Sequence, residues 1–266
     1  MQQQSNGDAL TTGSAEAADA YDAAAACYVA WRTDVMDHLK AATTADPDFA
    51  LPYAAKGILM LGLRKPELQA PVQKLLDSAR QARAPETERE RHYIAALEAA
   101  IAGRITEAVT HFEAIARAHP HDLFALRLWQ FELFWIGEVA WMRDISERAA
   151  AAWNEGDAGL AAFLAIRAFG LEENGSYAEA ERCGRRAIEL DPNDPWGAHA
   201  VAHALLMQGR LTDGIAWLTD LTGNWGAANH IRHHNWWHLA VFHCEAGDYD
   251  AVLDIYDGTL RDLDSP

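Results

Sequence analysis

Three cysteines, Cys27, Cys183 and Cys244, are all that the chain's 266 residues carry. Their odd number and wide spacing offer no disulfide framework, which predicts a reducing, cytoplasmic setting. Half of the residues are hydrophobic, yet no apolar run approaches the roughly 20 residues of a membrane-spanning helix. Basic residues are scarce. The chain has 22 lysines and arginines against 39 acidic residues, a formal net charge of −17. Nucleic-acid affinity comes mostly from neutralised phosphates, and anionic membranes attract basic patches, so neither partner is expected. The opening MQQQSNGDALTTGSAEAADA has neither the basic start nor the apolar core of a secretory signal. Residues 1–17, rich in Gln, Ser, Thr and Gly, read as a disordered lead-in. The commonest nucleotide, hydrolase and redox signatures (a phosphate-loop lysine motif, GxGxxG, GxSxG and CxxC) are missing.

Alanine-rich amphipathic segments fill the chain instead. AEAERCGRRAIEL at 178–190 places apolar residues at three- and four-residue spacing. Prolines punctuate them at Pro47, Pro85, Pro120 and Pro192, and glycines mark interleaved turns at Gly62, Gly103, Gly137, Gly175, Gly209 and Gly247. The common interval is about 36 residues, the period of a two-helix repeat that buries its apolar face only against its neighbours. The spacing predicts an all-α, right-handed α-solenoid of about six tetratricopeptide-like helix pairs. It forms one domain over residues 18–266, with 20–42 (AYDAAAACYVAWRTDVMDHLKAA) as a capping helix. The first pair is irregular, because LGLRKPELQAP interrupts its glycine phrase. The ETERER run at 86–91 reads as a solvated helix start, and Asp122 as a helix N-cap.

The chain resembles the tetratricopeptide repeat protein 38 family. The likeness rests on YVAW at 28–31, LKAATTADPDF at 39–49, DPWGAHAVAH at 194–203, HNWWHLA at 234–240 and GDYDAVLDIYD at 247–257, in the family's order. It implies fold rather than a particular activity. It also implies further helices beyond LRDLDSP, so the chain reads as a short member or as one lacking C-terminal helices.

Seven of the twelve histidines fall in the last two pairs. In tetratricopeptide repeats, positions 2, 5, 9 and 12 of the first helix face the concave groove, with the turn glycine near position 15. Counting back from Gly209 puts Trp196, His199 and His203 at positions 2, 5 and 9. Counting back from Gly247 puts His234, Trp237 and His238 at positions 2, 5 and 6. Four-residue spacing holds each histidine pair on one helical face. Four imidazoles are therefore expected to meet in one patch with Trp196 and Trp237 as walls, the recognition site for a small molecule or peptide. Arg127, at position 5 of the third pair, could offer a cation to an anionic ligand, and Phe124, Phe131 and Phe134 an apolar lining.

Chemistry is the competing reading. One histidine acts as general acid or base in a hydrolase- or lyase-type reaction, with Asp257 orienting an imidazole from behind. Alternatively the HxxxH pairs ligate a divalent metal, completed by a carboxylate such as Asp257 or Glu245. Neither pair carries the HExxH glutamate of a zinc protease. The remaining histidines, His38, His92, His111, His119 and His121, read as surface or capping residues.

Overall fold

The computed structural model of the chain describes residues 1–82 and 87–261; Pro85, Glu86 and the closing DLDSP lie outside them. Fourteen α-helices run through the described residues and pair in sequence. By their contacts they group into two compact units. The first comprises residues Met1–Val29 and Thr33–Trp153, the second Ala30–Arg32 and the chain from Asn154 onward.

In the first unit α1 (Ala15–Val29) pairs with α2 (Val35–Ala45), and α3 (Ala50–Gly62) with α4 (Gln69–Gln81). Helices α5 (Glu88–Ile101) and α6 (Ile105–Ala118) form the next hairpin, followed by α7 (Leu123–Ile136) and α8 (Val139–Ala150). In the second unit the hairpins are α9 (Leu160–Glu172) with α10 (Tyr177–Leu190), α11 (Pro195–Met207) with α12 (Leu211–Leu221), and α13 (Ile231–Glu245) with α14 (Tyr249–Ile255). The six expected pairs are present, and the expected cap is itself a hairpin.

Turn chemistry explains the regularity. Gly103, Gly137, Gly175, Gly209 and Gly247 take φ between 67° and 77°, the left-handed conformation that ends a helix with least strain in glycine. The first pair departs, as LGLRKPELQAP implied. Gly62 stays helical, and Arg64 takes the left-handed place at φ 52°.

Trp31, at φ 59°, divides the single capping helix that the sequence suggested. Its ring is 8% exposed and packs 4.9 Å from Trp196. Burying an indole outweighs the strain of one left-handed residue.

The lead-in over 1–17 is not disordered. Gln2–Gln3 pairs antiparallel with Ala9–Leu10, and α1 begins at Ala15. Leu10, Thr11 and Thr12 are buried. The anchors come from the run expected to be solvated: Arg89 and Glu90 are 1% and 0% exposed. Thr11 donates to Glu90 Oε1 through its backbone N–H at 3.2 Å and its hydroxyl at 3.0 Å. Arg89 donates to Gln4 Oε1 at 2.6 Å and to Asp122 Oδ2 at 2.7 Å. Asp122 caps α7 as expected, accepting from the Ala125 amide. A buried guanidinium is tolerable only with such partners.

Candidate functional site

Helix α11 is apolar and buried nearly all round, the pattern of an inner helix covered by neighbours on every side. Its start is held twice. Asp194 accepts from the Trp196 amide at 2.8 Å, and the Asn235 side chain on α13 donates to Pro195 O at 3.0 Å. Gly184 on α10 faces Gly197 on α11 with no room for a larger residue: a Cβ on Gly184 would stand 2.5 Å from Val201 Cγ2. These constraints fix which face of α11 is turned toward α13.

On that face His199 and His203 lie one turn apart, and His234 and His238 do the same on α13. The four rings meet. Nε2 of His234 is 3.0 Å from Nε2 of His199, Nε2 of His238 is 3.0 Å from that of His234, and Nε2 of His203 is 3.0 Å from that of His238. His199 and His238 are the most buried at 2% and 3% exposure, while His203 and His234 are only partly covered. Burial, and then the neighbouring His203 and His234, hold His238 well below the ordinary imidazole pKa. Burial, then His203 and His230, bring His234 down to about 4. Both rings are neutral at physiological pH.

The two tryptophans have different places. Trp237 is 49% exposed, with its face stacked on His234 at 5.4 Å and 13°. Trp196 is 4% exposed, sandwiched among Trp31, Phe169 and the His199 ring. It backs the cluster and fixes the His199 plane rather than offering a surface.

Two residues assigned from sequence lie elsewhere. Arg127 is 1% exposed within the first unit, so it presents no cation to a groove. Asp257 sits in the wide turn Tyr256–Leu260 after α14, 69% exposed and 4.0 Å from Arg261, not behind an imidazole. Glu245, the alternative carboxylate, is also exposed. Helices place side chains by turn and hairpin, and that last turn carries Asp257 outward.

The carboxylate at the cluster is Glu172 of α9, 5% exposed, with Oε2 3.3 Å from His203 Nδ1. Beside it, Glu173 has its pKa raised by burial and then by the Glu172 charge. Sequence reasoning missed Glu172 and Phe169, although the signal was available. Counted back from Gly175, they occupy positions 9 (Phe169) and 12 (Glu172) of their own first helix, groove positions under the rule that placed the histidines.

Three histidines of the first unit also have side-chain partners. His92 Nδ1 on α5 is 3.0 Å from His111 Nδ1 on α6, and His119 Nδ1 is 2.6 Å from Asp8 Oδ1. Phe124 is core, packed against Tyr21, Tyr28 and Tyr93.

No family model matches the chain. Among solved structures, a tetratricopeptide repeat protein from Parabacteroides merdae ATCC 43184 superposes over 91% of this chain and 91% of its own, with a TM-score of 0.52 and 14% identity. The fold is a tetratricopeptide-repeat fold. MamA aligns over 66% of this chain and 91% of its own at a TM-score of 0.43 and 16% identity. The tetratricopeptide-repeat domain of P58(IPK) aligns over 91% and 73% at 0.33 and 13%. In tetratricopeptide-repeat terms, the cluster is built from first helices of three consecutive hairpins: α9, α11 and α13. No helix among the described residues is long and apolar enough to cross a membrane.

Proposed function

We propose that this chain is a binding module of the tetratricopeptide repeat protein 38 type, whose ligand site is the histidine cluster on α11 and α13. The ligand is a small molecule or a peptide segment. One observation carries the reading: four imidazoles from two helices bring their Nε2 atoms into three successive 3.0 Å contacts beside Trp237, which is 49% exposed. Rigid aromatic faces next to polar groups that converge are what recognition sites use. The phrases that carry the family likeness, DPWGAHAVAH and HNWWHLA, are also the phrases that build the cluster. The charge of −17 argues against nucleic acid and anionic membranes as the partner, and the cysteine usage favours a cytoplasmic location.

The test is a ligand-observed NMR screen of metabolites and short peptides against the purified chain. Hits should vanish with His234→Ala and Trp237→Ala and persist with His92→Ala, which lies in the other unit. Hits indifferent to both cluster variants would remove the site.

One contact favours an enzymatic second reading. Glu172 against His203 Nδ1 is the arrangement that makes the other ring nitrogen a better base. In that reading His203 is the acid–base group, and His199, His234 and His238 hold the substrate's polar atoms. Turnover of a screened hit that His203→Gln abolishes while binding survives would establish it; unchanged turnover would end it.

A further inference from the structure

The three short imidazole contacts form a chain from His199 to His234 to His238 to His203. A neutral imidazole has one N–H and one in-plane lone pair, on different nitrogens. Along such a chain donors and acceptors must alternate. The two end contacts can each then be a proper hydrogen bond, but the middle one, His234 to His238, must share a lone pair or an N–H already engaged. No assignment of tautomers removes that conflict. A cation at the common focus does, because each ring then turns a lone pair toward it.

We infer that His199, His203, His234 and His238 form a binding site for one divalent transition-metal ion, coordinated through their Nε2 atoms. The inference rests on the reading above that the cluster is a ligand site, and it names what that site holds first. The separations suit it. With metal–nitrogen bonds of about 2.1 Å, ligands at a right angle stand about 3.0 Å apart, tetrahedral ones about 3.4 Å and opposite ones about 4.2 Å. Three of the separations are 3.0 Å, and one nitrogen from each ring lies within 4.8 Å of all the others. An all-imidazole donor set selects zinc, copper, iron or nickel over magnesium and calcium, which take oxygen.

The surroundings support the donors. Glu172 Oε2 lies 3.3 Å from Nδ1 of His203, the place from which an outer carboxylate orients a metal-binding imidazole. Trp196 and Trp237 stack on His199 and His234 at 14° and 13°, holding both ring planes before any ion arrives. His203 and His234 are partly exposed, the side from which an ion and a further ligand atom would approach.

The test uses the full chain stripped with a chelator and titrated with cobalt(II), followed by visible absorption and calorimetry. One equivalent should bind, zinc(II) should displace it, and magnesium should not compete. Because His238 is buried and its replacement could unfold the unit, the informative variants are His203→Gln and His234→Gln, with folding checked by circular dichroism. Each should weaken cobalt binding by more than the roughly 100-fold that loss of an outer partner produces, while His92→Ala leaves it unchanged. Absence of binding overturns the inference, as does cobalt binding lost in His92→Ala but kept in the cluster variants. If stripped protein takes no metal yet keeps its screened ligands, the metal centre fails and the binding site stands. Stoichiometric metal with no organic hit leaves the opposite result.

Discussion

Glu172 Oε2 lies 3.3 Å from Nδ1 of His203, whose Nε2 is 3.0 Å from His238. One ring thus joins a buried carboxylate on α9 to an imidazole on α13. A carboxylate at that distance would favour a ring proton on Nδ1 and leave the Nε2 lone pair for a ligand. Glu172→Gln keeps the shape and removes the charge. Cobalt affinity should fall by about 10- to 100-fold with folding intact. An unchanged binding isotherm would show that the carboxylate does not orient the ring.

Acid should loosen the metal-free second unit. His234 titrates near 4 in the folded chain, and His238 also lies well below the ordinary value of 6.5, chiefly through burial. In the unfolded chain both return to about 6.5. Between these values the unfolded state binds more protons, so stability falls as pH drops from about 6.5 toward 4 and is flat, from these groups, above it. The titratable groups around them include His199, His203, His230, Glu172 and Glu173. Urea midpoints at pH 7.5, 6 and 5 measure the slope, and a His234→Gln, His238→Asn double variant should flatten it. An equally steep slope in that variant would assign acid sensitivity elsewhere.

Trp196→Ala should cost about 3–5 kcal/mol, the range for truncating a buried large aromatic. Its ring contacts Trp31, Phe169 and His199 at once, and no small residue fills that space. Denaturant unfolding reports the loss, and the same variant should weaken cobalt binding through His199. Trp237→Ala, at 49% exposure, should change stability far less.

Arg89→Met should release the N-terminal hairpin. The substitution leaves Asp122 with its Tyr93 and Ala125 donors but strips Gln4 of its guanidinium partner. Removing one member of a buried charge pair costs about 3–5 kcal/mol. Limited proteolysis should cut between residues 1 and 14 in the variant and spare the parent chain. Equal resistance would show that Leu10 and Thr11 suffice to hold the segment.

Much of this architecture was legible without coordinates, and particular residues show why. Glycine tolerates left-handed turns, so Gly103 through Gly247 mark the hairpins in the sequence itself. His199 and His203 are one helical turn apart by spacing alone, as are His234 and His238. Counting from the turn glycines put His199, His203 and His234 at groove positions and His238 beside them at position 6, because each hairpin repeats the same turn. Glu172 obeyed that rule and was missed only because the α9 helix held no histidine to draw notice.

Other residues were beyond any such count. Arg89 and Glu90 read as solvated charges, since nothing local announces that a lead-in some 80 residues earlier will cover them. Arg127 was placed on a groove face by its position, and its burial depends on what packs against α7. Asp257 shared a phrase with the family but lost its place when the last turn widened. Sequence by itself determined the helices, their turns and which faces the histidines share, because those follow from local backbone preference and the 3.6-residue period. Tertiary structure alone decided which carboxylate stands behind them, which tryptophan is covered and which charges are buried, because desolvation and pairing depend on neighbours distant in the chain.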